Sequence, residues 1–380
     1  MRLTRRGCAV LGASTVLCGI GQLAGYPLFL ALGAAGVGAV AAALAVTGSR
    51  PRVSVVREVY PDRVERGRPA SLTLRVRNPG TRRQAAFTAV DRVGTGQLVV
   101  AVRSLAPGAE VPYLNELPTG RRGRHQIGPL TLSRTDALGL GESRLSIGDT
   151  AVLWVYPRTH PVRALAGGRP RHHHEGVTTV ASPRGSLDLR EVREYVPGDE
   201  VRHLHWKATA RTGTLMIRDY VDPNQPRFTA LLDNRPDGRG PERFEDAVEI
   251  AASLLVAAAK ADHRCRLVTA SGVDVATAPG AVSARLLLDE LCVLDRADDQ
   301  GLPLVPAALS LAGGGQLVVV TSAVSAADSA ALAATRTRFT DLVVVVLGAD
   351  AAALAVPGAR VLPARDAADA ARRWHEVVTA

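Results

Sequence analysis

Cysteine and lysine are among the residues that this 380-residue chain nearly lacks. The four cysteines form no Cys-x-x-Cys pair and no paired framework, which excludes a disulfide scaffold and the usual cysteine zinc sites. Lysine occurs only at Lys207 and Lys260, and arginine supplies the remaining positive charge. Isolated cysteines in apolar surroundings are typical of small buried residues in a reducing compartment.

The sequence motifs of several enzyme classes are also missing. There is no Gly-x-x-x-x-Gly-Lys-Ser/Thr loop, no Gly-x-Ser-x-Gly elbow and no His-Glu-x-x-His pair. The chain is therefore not expected to hydrolyse ATP by itself or to act as a serine hydrolase or zincin. The segment GAAGVG at 33–38 imitates a phosphate loop, but it lies inside an apolar run, where small residues serve helix packing. We expect no cofactor and no catalytic residue.

The net charge of +10 is confined to the N-terminal third of the chain. Residues 1–134 hold 19 arginines and 6 acids, whereas residues 135–380 hold 27 basic and 30 acidic residues. Such an asymmetry indicates either a nucleic acid or an anionic membrane as the neighbour of the basic region.

Two uncharged runs, 7–25 and 27–47, favour the membrane. Each approaches the ~20 residues that a helix needs to cross the hydrocarbon core. A cleaved signal peptide is the alternative for the first run, but a second run of equal length follows at once. We predict a two-helix membrane hairpin within residues 1–52, with GQLAG at 21–25 as a weak GxxxG contact between the helices.

Arginines flank this hairpin at both ends and are absent from its turn: Arg2, Arg5 and Arg6 come before it, and Arg50, Arg52 and Arg57 come after it. The positive-inside tendency then places both ends in the cytoplasm. The basic region would lie beside the anionic inner leaflet, where each arginine adds up to ~1 kcal/mol of attraction. We therefore expect a multi-pass protein of the inner (plasma) membrane that contacts the lipid bilayer and binds no nucleic acid.

The soluble part divides by its hydrophobic periodicity. Residues 53–156 contain short alternating runs separated by turns such as NPGT, a pattern typical of an all-β sandwich. Residues 157–183 lack a period and predict a linker, in which the adjacent His172, His173 and His174 are unsuited to converge on one metal ion. Residues 227–380 alternate strands with helices and predict a doubly wound α/β domain.

The segment 184–226 contains the densest mixture of charges, REYVPGDEVRHLHWKATARTG. Pro197-Gly198 predicts a type II turn, Asp199 a helix N-cap and Gly213 the helix end. Trp206 is expected to anchor this helix to a core, while Arg202, Lys207 and Arg211 pair with nearby acids. From the residues alone, an ordered ion-pair lattice and a solvated connecting segment remain equally open.

This segment strongly resembles the signature of the family called domain of unknown function 58. The signature comprises Arg-x-Tyr-x-x-Gly-Asp, then an arginine, Trp-Lys and Ala-Arg; here its positions, with their neighbours, are Arg193, Glu194, Tyr195, Pro197, Gly198, Asp199, Arg202, Trp206, Lys207, Ala210, Arg211 and Gly213. DALGL at 136–140 resembles the family's DPFGL. His205 stands where members often carry an acid, so no role that requires an acid there is carried over.

The resemblance implies that residues 227–380 are similar to a von Willebrand factor A domain. Such domains bind a divalent metal through Asp-x-Ser-x-Ser after the first strand, with a Thr and an Asp on later loops. Here Asp233 and Thr321 match, but Arg235 and Asp237 replace the two serines. A guanidinium inside a cation site opposes binding, so we expect no competent metal site.

The resemblance also implies a MoxR-type AAA+ ATPase as partner, because family members are commonly encoded beside one. The leading hypothesis is a non-enzymatic, membrane-anchored scaffold or adaptor that faces the cytoplasm. A metal-dependent hydrolase using Asp233 and Asp199 is one alternative, and a nucleic-acid-binding membrane protein is another.

Overall fold

The structure is a computed structural model that describes residues 2–48, 51–94, 96–165, 172–174, 177–179, 188–194, 204–221, 226–236, 240–299, 301–310, 313–348 and 355–379. The chain divides into two compact units, Met1–Tyr156 and Pro157–Ala380. Each unit has its own hydrophobic cores.

The first unit begins with a helical hairpin: β1 (Arg2–Leu3), α1 (Arg5–Ala24) and α2 (Pro27–Thr47). Thr4 caps α1 by accepting a hydrogen bond from the Gly7 amide, and Gly25 ends α1 in the left-handed conformation. Pro27 opens α2 at the first helical position. Both helices are long and apolar enough to cross a membrane, and only 17% of each apolar window is buried.

Glycines lie where the two helices touch. A Cβ atom on Gly21 would come within 2.6 Å of the Leu30 amide nitrogen, and one on Gly33 would meet Ser14 and Cys18 of the facing helix. Gly36 likewise has no room for a side chain beside Ser14. Gly21, Gly33 and Gly36 therefore serve helix packing, as expected, whereas nothing lies within 4 Å of the Cβ position of Gly25 or Gly38.

The remainder of the first unit is a two-sheet β-domain with strands β2 (Ser54–Tyr60), β3 (Arg63–Glu65), β4 (Ser71–Arg77), β5 (Phe87–Val93), β6 (Gly96–Val102), β7 (Glu110–Glu116), β8 (Gly123–Ile127), β9 (Leu130–Thr135), β10 (Gly141–Ile147) and β11 (Ala151–Tyr156). β2, β4 and β7 form one sheet, and the other strands join β1 in the second sheet. Alternate residues of both sheets, such as Leu72 and Leu153, share one core. The chain thus forms the predicted sandwich.

The hairpin is attached to this β-domain at the ends of both helices. β1 pairs with β10, and the Thr4 hydroxyl donates a hydrogen bond to the Gly139 carbonyl over 2.6 Å. A Cβ atom on Gly7 would collide with the Leu140 carbonyl, and Leu140 is buried against α2. Thr47, at the end of α2, is fully buried beside Gly141. DALGL is therefore the turn that joins the sandwich to the hairpin.

Arg57, which we counted among the membrane-flanking arginines, has a different role. Its Nε and Nη2 each donate a hydrogen bond of 2.9 Å to the Asp91 carboxylate, and Nη1 bonds the Asp149 carbonyl. Asp91 is fully buried. Arg57 is thus neutralised inside the sandwich, so only the other arginines bear on the orientation of the hairpin in a membrane.

The second unit contains β12 (His172–His174), β13 (Val177–Thr179), β14 (Asp188–Glu194), α3 (Trp206–Thr212), β15 (Met216–Val221), β16 (Arg227–Leu232), α4 (Pro241–Lys260), β17 (Arg264–Thr269), β18 (Asp274–Ala276), α5 (Ala281–Val293), α6 (Ala307–Ser310), β19 (Gln316–Thr321), α7 (Ala326–Arg336), β20 (Asp341–Leu347), β21 (Arg360–Ala364) and α8 (Ala367–Thr379). Its main sheet has the order β18-β17-β16-β19-β20-β21 and is parallel except for β18 at the edge. Helices cover both faces, because Phe228 of β16 belongs to one core and its neighbour Leu231 to the other.

The linker predicted for 157–183 is corrected in two places. Residues 157–165 pack on the α/β core: Leu165 is buried there, and the indole of Trp374 donates a hydrogen bond to the Arg163 carbonyl. Farther on, β12 and β13 pair as antiparallel strands, with His172–His174 forming β12. Sequence periodicity missed these elements because each is only a few residues long.

Candidate functional site

The parallel sheet reverses its strand order between β16 and β19. Both strands end at the same edge of the sheet, since Leu232 pairs in register with Val320. In open α/β sheets, ligands bind in the crevice outside the carboxyl ends of the strands at such a reversal. The residues that follow these two strands are therefore the candidates for a ligand-binding or catalytic site.

Arg235 fills this crevice by pairing with two carboxylates. Its Nε and Nη2 donate hydrogen bonds of 2.9 and 3.0 Å to the two oxygens of Asp233, directly after β16. Its Nη1 and Nη2 also donate to the two oxygens of Asp328, at 3.1 and 3.2 Å. One guanidinium thus bridges the two acids in a bidentate arrangement with each, which is a strong geometry for such a pair.

Both acids are positioned by further hydrogen bonds. The Thr321 hydroxyl, at the end of β19, lies 2.7 Å from the Asp233 carboxylate. Asp328 forms a reciprocal capping box with Ser325 at the start of α7, in which each side chain accepts the other residue's backbone amide. The capping box therefore aims the Asp328 carboxylate at the crevice as well as beginning the helix.

The three charged groups are mostly buried: the exposed side-chain fractions are 19% for Arg235, 8% for Asp233 and 9% for Asp328. The hydrogen bonds that Arg235 donates to Asp233, joined by those to Asp328, raise the pKa of its guanidinium despite its burial. Burial alone would raise the pKa of Asp328, but hydrogen bonds from Arg235 and Ser325 outweigh that effect and lower it. Arg235 and Asp328 therefore remain charged at neutral pH.

Asn234 ties the loops around the crevice together. It is buried, and its side-chain amide donates to the Ser271 hydroxyl and the Asp295 carbonyl at 2.9 and 3.1 Å. Its side-chain oxygen accepts the Ser271 amide, and its carbonyl accepts the Ala297 amide. The loops after β17 and α5 are thus fixed to the loop that carries Arg235.

The donor set in this crevice does not fit a divalent metal. Asp233, Asp328 and Thr321 supply the oxygen atoms such an ion needs, but Arg235 already donates four hydrogen bonds to those carboxylates. A metal would have to displace a bound cation. Among the described residues there is also no group of three or more His, Cys, Asp or Glu side chains with metal-binding geometry.

Asp328 is the one charged group of this cluster that the sequence interpretation missed. Its signal is the Ser325-x-x-Asp328 spacing of a capping box directly after a buried strand. Asp237, which replaces a serine of the metal motif, lies outside the described residues.

The signature segment forms a separate structure. β14 and β15 pair as antiparallel strands, with Arg193 opposite Ile217 and Glu194 opposite Met216. Tyr195, Pro197, Gly198, Asp199 and Arg202 lie outside the described residues, so the turn and the ion-pair lattice expected there stay predictions. Gly213 ends α3 in the left-handed conformation with a φ of 74°, as the sequence predicted.

Two predictions for this segment are wrong. Leu204 and His205 are not helical, and α3 begins only at Trp206, so the cap is His205 and not Asp199. The Trp206 side chain is 67% exposed and is no core anchor. Leu204, two residues earlier, is buried instead.

His205 supplies the acceptor that the helix start requires. Its Nδ1 accepts the Ala208 amide at 3.0 Å, and its own amide donates to the Met216 carbonyl at 2.7 Å. The Thr209 hydroxyl in turn accepts the Met216 amide, which ties α3 to β15. Trp206, Lys207 and Arg211 then lie on the exposed side of a short, anchored helix.

Comparison with known proteins identifies this part of the chain. The model of the family described as "Protein of unknown function DUF58" matches residues 191–359, somewhat less than half of the chain. Residues 191–359 belong to the DUF58 family. The DUF58 segment therefore includes α3, the crevice residues and most of the parallel sheet.

A curated relative agrees with this assignment. The chain is 29% identical over 150 residues to "Uncharacterized protein YeaD" of Bacillus subtilis (strain 168), a match that covers 37% of this chain. The match spans 34% of that relative's length, so it assigns no activity to the whole protein.

Solved structures give only slight likeness. An alkylpurine DNA glycosylase AlkC of Pseudomonas fluorescens is 18% identical, with a TM-score of 0.22, over 30% of this chain and 33% of its own. The CARDB domain of PF1109 from Pyrococcus furiosus is 14% identical, with a TM-score of 0.20, over 28% of this chain and 93% of its own. The ApaA protein of Bordetella pertussis is 18% identical, with a TM-score of 0.21, over 29% and 96%. No functional conclusion follows from scores this low.

Proposed function

We propose that this chain is a non-enzymatic adaptor, anchored in the plasma membrane by α1 and α2, whose DUF58 segment docks a MoxR-type AAA+ ATPase in the cytoplasm. The adaptor would position that ATPase at the membrane for the assembly or maturation of a protein complex. The partner follows from the family resemblance, and the anchor and the lack of catalysis follow from the residues of this chain.

The exposure of apolar side chains supports the anchor. Leu23, Leu28 and Val16 are 91%, 67% and 60% exposed. In contrast, most residues of α4, a helix of the same length as α1, are buried between the sheet and its neighbours. Apolar helices that leave such side chains uncovered need lipid or a partner around them.

The attachment of the hairpin supports the cytoplasmic orientation. The ends of α1 and α2 that meet the β-domain are the same ends that carry Arg2, Arg5, Arg6 and Arg52. Loops and domains rich in arginine tend to remain in the cytoplasm. With Arg57 removed from that count, these four arginines still favour the same side.

The filled crevice is the observation that carries the non-enzymatic part of the proposal. At the sheet reversal, Arg235 occupies the position between Asp233 and Asp328 and holds both carboxylates in hydrogen bonds. Neither acid is then available as a base, a nucleophile or a metal ligand. The DUF58 segment thus keeps the framework of a ligand site but closes it with its own side chain.

The sheet order favours a von Willebrand factor A-like domain for 227–380. Numbered along the chain, its six strands lie in the order 3-2-1-4-5-6, and the third is the antiparallel edge strand. Asp233 and Thr321 lie at the ends of the first and fourth strands, where the metal motif of such a domain would lie. We propose that the domain is a metal-independent variant of that fold.

The exposed side of α3 is the proposed docking face. Trp206 projects into solvent beside Lys207 and Arg211, on a helix fixed to β15 by backbone and side-chain hydrogen bonds. Exposed tryptophan and arginine are the residues most enriched among energetic centres of protein interfaces. A rigid helix that presents both fits a protein partner.

Binding measurements on the full chain test this proposal. The chain is reconstituted in phosphatidylcholine nanodiscs and titrated with the purified MoxR-type ATPase of the same genome, with Trp206→Ala and Arg211→Ala as test variants. Truncating such residues weakens binding by about tenfold or more each. Arg338→Ala, an exposed arginine between α7 and β20, is the matched control and should bind like the wild type.

Each other outcome contradicts a stated part of the proposal. Absence of binding by the wild type excludes the partner, and equal binding by all four proteins excludes α3 as the docking face. Nucleotide or phosphoester hydrolysis by the purified chain without the ATPase excludes the non-enzymatic role.

A further inference from the structure

A basic cavity opens where the hairpin meets the β-domain. Its volume is about 870 Å³, and it is lined by Gly48, directly after α2, and by Arg52, Arg82, Arg83 and Arg134 among others. None of the described residues that line it is acidic. The cavity therefore concentrates positive charge in a concave space, which attracts anions more strongly than a flat basic surface does.

The loop that carries Arg82 and Arg83 is shaped from inside by a buried asparagine. The Asn78 side chain is 2% exposed, and its amide donates to the carbonyls of Arg82, Leu105 and Ala106 at 2.9, 3.2 and 3.1 Å. Its side-chain oxygen accepts the Gly80 amide at 3.0 Å. The arginines thus extend from a backbone that is already ordered before any ligand arrives.

A second contact joins Arg52 to the same loop. The Arg52 amide donates to the Gln84 side-chain oxygen at 3.2 Å, and the Gln84 backbone exchanges two hydrogen bonds with Leu105. The side chains of Arg52, Arg82 and Arg83 are exposed and accessible from the cavity. Arg134 has a further interaction of its own, so the other three arginines are the candidates for binding an anion.

The cavity lies at the depth of lipid headgroups if α2 spans the bilayer. With a rise of about 1.5 Å per residue, the 21 residues of α2 extend about 31 Å, and the hydrocarbon core is about 30 Å thick. Gly48, the next residue, then lies at the membrane–water boundary on the side of the β-domain. An anion reaching the cavity from the lipid would bring its phosphate to this level.

We propose that this cavity binds the phosphate group of an anionic phospholipid, held by Arg52, Arg82 and Arg83. Guanidinium groups bind phosphate oxygens in bidentate pairs, and the volume is in the range of small-molecule sites, about 300–1,000 Å³. The inference rests on the membrane anchoring proposed above. Its consequence is that the β-domain is fixed at the membrane by a specific headgroup as well as by the hairpin.

Lipid binding by the full chain tests the site directly. The detergent-solubilised protein is mixed with phosphatidylglycerol or phosphatidylcholine, and bound lipid is counted by native mass spectrometry. We expect the wild type to retain phosphatidylglycerol preferentially, and the double variant Arg82→Gln/Arg83→Gln to lose that preference by about tenfold or more.

The matched control removes the same charge at the opposite end of the sandwich. Arg68 and Arg121 are exposed and lie beyond the first residue of β4, whereas the cavity loop follows its last residue. Arg68→Gln/Arg121→Gln should therefore keep the wild-type preference. An equal loss in both double variants, or no preference in the wild type, would overturn the proposal.

A further arm separates the sources of phosphate. If inorganic phosphate at millimolar concentration binds the wild type but not Arg82→Gln/Arg83→Gln, and lipids show no preference, the site recognises a soluble phosphate. Failure of the anchoring proposal is seen separately, because the chain would then fail to incorporate into phosphatidylcholine nanodiscs. If the chain incorporates into the nanodiscs but neither prefers phosphatidylglycerol nor binds inorganic phosphate, the cavity proposal alone is contradicted.

Discussion

Each of the two units buries an arginine against a carboxylate, but Arg57 pairs with one acid whereas Arg235 pairs with two. Arg57 makes two hydrogen bonds of 2.9 Å to Asp91, which is fully buried inside the sandwich. Arg235 divides four hydrogen bonds between Asp233 and Asp328 at a sheet edge that still has some access to solvent. The first site is neutral as a whole, and the second keeps one net negative charge.

This difference separates a structural ion pair from a closed ligand site. Burial raises the pKa of Asp91 despite the opposing hydrogen bonds from Arg57. At Asp328 burial acts in the same direction, but Arg235 and Ser325 outweigh it and the pKa is lowered. Arg57 and Asp91 balance each other's charge and join two strands. Asp233 and Asp328 supply two carboxylates for one guanidinium, an arrangement that resembles a cation site in which the Arg235 side chain takes the place of the cation.

The largest expected effect comes from removing the arginine of the neutral pair. Arg57→Ala leaves Asp91 buried without a partner, which costs about 3–5 kcal/mol of unfolding free energy. Hydrogen exchange of the full chain, followed by mass spectrometry, should show the loss in the β-domain alone. Arg68→Ala, an exposed arginine of the same unit, should change little; a loss below about 1 kcal/mol in Arg57→Ala would contradict the structural role.

The second effect is a gain of metal binding. Arg235→Ser removes the internal cation and restores a serine where the metal motif has one, so it should lose about 3 kcal/mol of stability in the α/β unit. Millimolar Mg²⁺ or Mn²⁺ should then recover part of that loss, because an ion that binds only the folded state stabilises it. The thermal unfolding midpoint, measured with and without the ion, checks this.

The control for that gain removes one of the two carboxylates as well. Arg235→Ser/Asp233→Asn should show no recovery with the ion, and the wild type should not respond either. A wild type stabilised as strongly as Arg235→Ser would show that Arg235 does not close the site.

A smaller effect is an opposite pH dependence at the two sites. The stability contributed by Asp328, whose pKa is lowered, is present above its usual pKa of 3.8 and is lost as pH falls through its lower folded value. The contribution of Asp91, whose pKa is raised, is full below 3.8 and is lost as pH rises through its higher folded value. The stability differences of Asp328→Asn and Asp91→Asn from wild type should therefore change with opposite signs between pH 3 and 6; equal signs would contradict the comparison.

The smallest expected effect concerns the capping box that orients the Asp328 carboxylate. Ser325→Ala removes the hydroxyl half of the capping box and should cost about 1 kcal/mol in α7. Ser325→Thr keeps the hydroxyl and should cost much less. Hydrogen exchange at the first turn of α7 measures both, and equal exchange in the two variants would show that the box does not hold Asp328.

Much of the architecture could be predicted because it depends on hydrophobic period. The two uncharged runs, the alternating short strands and the buried βα repeats each impose one local structure, and Gly213 marks a helix end wherever it falls. Asp233 was found as a site residue because it matches the metal motif that the family resemblance implies, and Arg235 because it replaces a serine of that motif two positions later.

The partners of those residues could not be predicted, because they come from distant parts of the chain. Asp328 meets Arg235 across 93 residues, and Asp91 meets Arg57 across 34. Trp206 was misassigned for a related reason: its helix begins later than expected, so the helical face that it occupies is the exposed one. Hydrophobic periodicity predicts which residues share a helical face only once the first residue of the helix is known.

Protease protection of the full chain in right-side-out spheroplasts tests the central claim directly. That claim is that the hairpin is embedded in lipid and that the β-domain and the second unit lie inside the cell. The account predicts that the chain stays in the membrane pellet after an alkaline wash and that externally added protease cleaves it only after the membrane is broken. A chain that is released by the wash, or digested in intact spheroplasts, would contradict it.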